Sequence, residues 1–204
     1  MEILDYRCDN GLPVYLVPMK NTSMMTGVFA VRAGWGYEFK NIEGIGHYLE
    51  HLVLRGTSRR PSTRALAIDI EGVGGRIHAF TTEEIMAYFV HAPYEHGSLL
   101  CDVLADFILN PLFDPVAIQV ELESMIEELR KRESDPWTKL GDAFAKLLFD
   151  DHPAGWPGVG TEDSVRAITR QMLIDYHRSC FVSSNSMLCI AGRIENPDEL
   201  FSEI

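Results

Sequence analysis

The sequence predicts an α+β domain in which helices pack on one sheet. Two observations point there. Short segments near the start, middle and end of the 204-residue chain carry apolar residues suited to strands, while longer segments between them repeat apolar residues at helical spacing. Strands and helices also come in blocks rather than in regular β-α-β order. A chain of this length buries a sizeable core without disulfide or metal staples, so residues 1–204 are read as a single domain.

Taken in order, Glu2–Cys8 and Leu12–Pro18 read as two strands around the turn signal Asp9-Asn10-Gly11, with Val14 and Leu16 alternating in the second. Met25–Ala33, rich in Val, Phe and Ala, suits a strand inside a sheet, ended by Gly34 and Gly36. From Gly44 to about Leu54, Ile45, Leu49, Leu52 and Val53 are spaced for a helix that Gly56-Thr57 stops. Ser62–Val73 has an N-cap serine and an apolar stripe, and ends at Gly74-Gly75. Arg76–Thr81 and Ile85–His91 form a second hairpin.

Helices follow. Tyr94–Asn110 is amphipathic, Asp114 and Pro115 supply the cap and first-turn proline of a long helix to about Arg132, and Pro136–Phe149 makes another. Asp150–Thr161 is a loop by its Pro and Gly content. Helices at Glu162–Ile168 and Thr169–Phe181 and a strand at Met187–Ala191 complete the chain, which has no internal repeat.

Composition narrows the function classes. With 18 Lys and Arg against 30 Asp and Glu, a formal charge of −12, the chain is not expected to bind nucleic acid, whose recognition rests on basic residues neutralising phosphates. No uncharged apolar run of about 18 residues suggests a membrane span, and Met1–Arg7 lacks the form of a leader. Cys8, Cys101, Cys180 and Cys189 show no C-x-x-C spacing and are expected to be reduced core residues of a cytoplasmic protein.

The informative segment is Gly44-Ile45-Gly46-His47-Tyr48-Leu49-Glu50-His51-Leu52. On a helix, His47, Glu50 and His51 project from one face within a turn, so two imidazoles can hold one Zn²⁺ beside a carboxylate. H-x-x-E-H is the inverzincin order, the reverse of H-E-x-x-H. A catalytic zinc needs a third protein ligand and an open position. On the helix from Asp114 to Arg132, Glu121 and Glu128 fall on one edge of the stripe of Ile118, Leu122, Met125, Ile126 and Leu129, whereas Glu123 and Glu127 point to solvent. One of the first two could bind metal and the other hold a ligand in place; spacing leaves both open.

At these residues the chain resembles the pitrilysin/insulinase family of zinc peptidases, which includes the mitochondrial processing peptidase. Ala33-Gly34 and Glu38, Gly44 through His51, Arg55-Gly56-Thr57, Gly74-Gly75, Ala79-Phe80-Thr81, Glu121 through Glu128, and Gly158-Val159-Gly160-Thr161-Glu162 all fall in family order. The resemblance implies the LuxS/processing-peptidase-like metallohydrolase fold, a mixed sheet packed against helices. It implies that His47, His51 and Glu128 bind one zinc ion, that Glu50 is the general base and that Glu121 supports a ligand. It also implies that the strand Arg76–Thr81 pairs with an extended peptide, so that His78, Ala79, Phe80 and Thr81 are candidate substrate contacts.

The implied activity is zinc-dependent cleavage of short or unfolded peptides; the alternative is a non-catalytic family subunit that binds peptide or scaffolds a complex. Family members carry two or four such domains closing around the peptide, so a homo-oligomer or partner subunit is expected to complete the chamber. No segment here matches the family's distal Arg and Tyr that hold the substrate carbonyl. His78 stands where the family often has Asn, and Leu54 where Phe is usual. The resemblance also implies that a further helix is starting at Asn196–Ile204. His91, His96, His152 and His177 are expected at the surface or as satisfied core residues, and Trp137 and Trp156 as core or loop anchors.

Overall fold

Each predicted strand forms in the computed structural model, which describes residues 2–204. The strands are β1 (Leu4–Arg7), β2 (Pro13–Pro18), β3 (Met24–Val31), β4 (Arg76–Thr81), β5 (Met86–Pro93) and β6 (Ser186–Gly192). They make a sheet in the order β1-β2-β6-β3-β5-β4, in which β2 and β6 run parallel and the other neighbours antiparallel. The sheet is therefore mixed, as expected, and β4 is an outer strand.

Register decides which side chains face the helices, because alternate residues share a face. Val14, Leu188, Phe29, Tyr88 and Ala79 lie opposite one another across five strands, and Val14, Tyr88, Ala79 and Leu188 are buried. The neighbouring row, Tyr15, Cys189, Val28, Phe89 and His78, lies on the other face and remains partly or fully exposed.

The helices are α1 (Ile45–Val53), α2 (Thr63–Glu71), α3 (Gly97–Leu109), α4 (Pro115–Ser134), α5 (Pro136–Phe149), α6 (Glu162–Ala167), α7 (Arg170–Cys180) and α8 (Pro197–Ser202). Local capping starts most of them. Ser62 Oγ accepts from Ala65 N–H, Asp114 from Val116 and Ala117, and Asp135 from Trp137 and Thr138, while Thr161 and Ser164 form a capping box. Leu49, Leu52, Leu100, Val103 and Phe107 of α1 and α3 are buried in the core against Tyr88 and Val90. Each such side chain contributes about 1.5–3 kcal/mol by leaving water.

The segment after α1 is pinned by a charged knot. Arg60 donates to Asp69, Asp102 and Asp106, and Thr57 Oγ1 donates to Asp106 Oδ2 at 2.7 Å. Three carboxylates around one buried guanidinium fix α2 and α3 relative to the end of α1.

Two expectations change. Trp137 is not a core anchor: it is 79% exposed, and with Leu140, Phe144, Leu147 and Leu148 it forms an apolar stripe on the outer face of α5. Of the cysteines only Cys101 is buried; Cys8, Cys180 and Cys189 are half-buried, and all four are free thiols. No helix is long and apolar enough to cross a membrane among the described residues.

Candidate metal centre

The site begins with how α1 starts. Gly44 has φ +86°, and a Cβ there would lie 2.6 Å from the Val159 carbonyl oxygen, so the backbone of the 158–160 segment packs directly on the head of the helix. No residue at the helix boundary caps it with its side chain. Glu38 does so from six residues upstream: its carboxylate accepts from Gly44 N–H at 2.7 Å and Gly46 N–H at 2.8 Å. Glu38 is only 3% exposed, and burial raises its carboxyl to about 7 against the pull of those two donors.

One turn on, the His47 and His51 rings meet edge-on with centroids 4.6 Å apart. One ligand atom from each of His47, His51 and Glu128 lies within 4.8 Å of the others. His47 Nε2 and Glu128 Oε2 are 3.2 Å apart; two ligands of one tetrahedral zinc, each at about 2.0–2.1 Å, sit about 3.3 Å apart. Two imidazoles and a carboxylate are a donor set whose chemistry fits zinc, and the His47–Glu128 pair stands at the spacing such a site needs.

The choice between the glutamates of α4 is visible in their surroundings. Glu121 is fully buried; its Oε2 accepts from His51 Nδ1 at 2.8 Å and its Oε1 accepts from Arg55 Nη2. Glu128 is half-buried beside His47, while Glu123 and Glu127 are exposed. Tyr48 locks α1 to α4 by donating to the Ile118 carbonyl at 2.6 Å.

Glu50 lies within the same turn, its Oε2 3.6 Å from His47 Nδ1 and accepting from Thr81 Oγ1 at 2.7 Å. Burial works to raise its carboxyl, but His47 and Thr81 outweigh burial and hold it below the ordinary value. Glu128 is likewise lowered, chiefly by its hydrogen bond to His47. At His47 burial opposes the charge, yet the Glu128 and Glu50 carboxylates together raise it to about 9.

Strand β4 divides the substrate candidates. Ala79 and Thr81 share the face turned toward the helices, and α1 packs against this strand. His78 and Phe80 lie on the opposite face, both against the Phe89 ring, so His78 is not beside the metal centre. Next to the centre opens a cleft of about 420 Å³ whose walls include Trp35, His47, Thr81, Glu128, Asp142 and Trp156. Sequence reasoning assigned no role to Arg55 or Asp142. Arg55 had a signal: it follows His51 by four residues, one turn's length on, where the chain leaves α1.

A mixed sheet carrying an H-x-x-E-H helix, with a glutamate presented from a neighbouring helix, is the arrangement that the inverzincin motif order describes. Residues 16–161 match the family described as Insulinase (Peptidase family M16), and the chain belongs to that family. It is 34% identical over 176 residues to an uncharacterised zinc protease of Mycobacterium leprae, covering 86% of this chain and 39% of that protein. The fold matches a protease from Helicobacter pylori with a TM-score of 0.94 at 22% identity, over 99% of this chain and 49% of that one. It also matches a peptidase M16 inactive domain from Pseudomonas fluorescens with a TM-score of 0.90 at 15% identity, over 100% of this chain and 51% of that one. The chain thus spans less than half of the length of curated relatives that it matches.

Proposed function

We propose that this domain is the zinc-bearing half of an endopeptidase that cleaves short or unfolded peptides, with a second copy or a partner subunit completing the chamber. The convergence of His47, His51 and Glu128 on one point, with Glu50 one helical turn along, carries this reading. A bound zinc ion supplies a water acidified toward pKa about 7 and a polarised scissile carbonyl. His47, His51 and Glu128 would hold the ion, and Glu121 orients His51. Glu50, steered by Thr81, takes the proton of the attacking water and hands it to the leaving amine. The outer edge of β4 offers main-chain groups to an extended peptide, which gives affinity with little sequence preference. The half-length coverage of the relatives supports a second domain.

The likeness to an inactive domain favours a second reading, a non-catalytic peptide-binding subunit. The two separate in one experiment: zinc content, solution mass and peptide cleavage of the purified protein with and without chelator. Zinc in the parent and chelator-sensitive cleavage are expected. Glu50→Gln should keep the metal and lose cleavage by about 10²–10⁴-fold, the usual contribution of a general base. A zinc-loaded protein that cleaves nothing supports the second reading, and a Glu50→Gln variant as fast as the parent overturns the role of Glu50.

A further inference from the structure

We propose that Arg55 is a positioning residue of this site, acting through Glu121 to fix which nitrogen of His51 is free to bind metal. The inference rests on the zinc reading above for its purpose but not for its geometry. Glu121 is fully buried, and its two oxygens have one partner each: Arg55 Nη2 on Oε1 and His51 Nδ1 on Oε2. A carboxylate oxygen only accepts, so His51 Nδ1 carries the proton and Nε2 keeps its lone pair. Among the described residues Arg55 makes no other ion pair, and its side chain is partly exposed. It approaches Glu121 from the turn just past α1, four residues beyond His51, so one short stretch of chain supplies both the metal ligand and the counter-charge for the carboxylate that orients it.

The physical need is specific. A buried carboxylate that loses its cationic partner is strongly unfavourable where it stands, and it turns away in search of other donors. A Glu121 that moved away from His51 would no longer require the ring to carry its proton on Nδ1. The ring would then sample both tautomers, and the one with a proton on Nε2 cannot bind metal through that atom. Arg55 removes this freedom without touching the ion or the substrate.

Two measurements test this. The first needs no metal: long-range ¹⁵N–¹H correlation of the His51 ring in the metal-free chain at pH 8. The parent should show the Nδ1–H tautomer, Arg55→Met a mixture of the two, and Arg55→Lys, which restores the charge, a return to the parent pattern. The second is Zn²⁺ affinity by competition with a chromophoric chelator. Arg55→Met should bind zinc about 10–100-fold more weakly, the loss typical of the groups that orient metal-bound histidines, and Arg55→Lys should stay within about threefold of the parent.

A cycle with Glu121→Gln makes the test strict and covers the case in which Arg55→Met alone folds poorly, since the double variant has no buried charge to leave unpaired. In the Glu121→Gln background Arg55→Met should change zinc affinity by less than about twofold, because its route of action is already gone. An unchanged His51 tautomer in Arg55→Met, or losses that multiply in the double variant, overturns the proposal. The expected tautomer pattern in parent and variants, with a parent that binds no zinc, would uphold the role of Arg55 toward His51 and remove the zinc reading instead.

Discussion

His177, buried on α7, donates from Nε2 to the Ile108 carbonyl at 2.9 Å and stacks on Phe181 at 4.3 Å. Burial lowers its pKa below the ordinary 6.5, and the Ile108 bond offsets this only in part. The unfolded chain, with the higher value, binds more protons as pH falls through this region, so the contribution of His177 to stability is complete above about pH 6.5 and is lost on acidification. His177→Gln should therefore be less stable than the parent at pH 8, with the gap in urea midpoint narrowing toward pH 5; a constant gap would refute the assignment. At this scale the sequence was most informative where the chemistry is local. His47, Glu50 and His51 share one helical turn, and the stripe of α4 separated Glu121 and Glu128 from Glu123 and Glu127. Periodicity could not choose between Glu121 and Glu128, because that choice depends on which of them meets Arg55 after folding.

Among the elements, α1 shows where local rules stop. Its apolar spacing was legible, but its start is made by Glu38 from upstream and by the 158–160 backbone from more than a hundred residues downstream. No rule about residues adjacent to a helix could have found either. Gly44→Ala would place a Cβ against Val159 while holding φ at +86°, and is expected to cost about 1–3 kcal/mol or more in urea unfolding. Glu38→Gln leaves one of the two N–H groups facing an amide donor and should cost about 1–3 kcal/mol in the same assay. If both variants were as stable as the parent, the head of α1 would not be built as described. Helix α5 is legible as a helix from its cap and first-turn proline, but those signals do not say whether its apolar side meets this domain or something else.

For the whole molecule that question has a measurable face. Leu147 is 81% exposed, and the stripe it shares with Phe144, Leu140 and Trp137 is larger than the scattered apolar residues of an ordinary surface. Phe144→Gln with Leu147→Gln should cut the binding of a hydrophobic dye such as ANS and shift stability by only about 0.5 kcal/mol per site, since neither side chain is buried. A large loss of stability would mean that α5 depends on those residues within this chain. Sheet order was the least legible property: the alternation marks each strand, but nothing in β6 itself says that it inserts between β2 and β3.

That insertion sets a timetable. The hairpin of β1 and β2 joins the rest of the sheet only through β6, which begins at Ser186. A ribosome makes the hairpin first and its neighbour about 170 residues later, an interval on the order of ten to thirty seconds at ordinary elongation rates. An isolated hairpin is marginal in water, so during synthesis this one waits as an open edge while β3, β5 and β4 can already pair. The growing chain is therefore most exposed to misassociation at this hairpin, and the sheet closes only when nearly the whole domain has emerged.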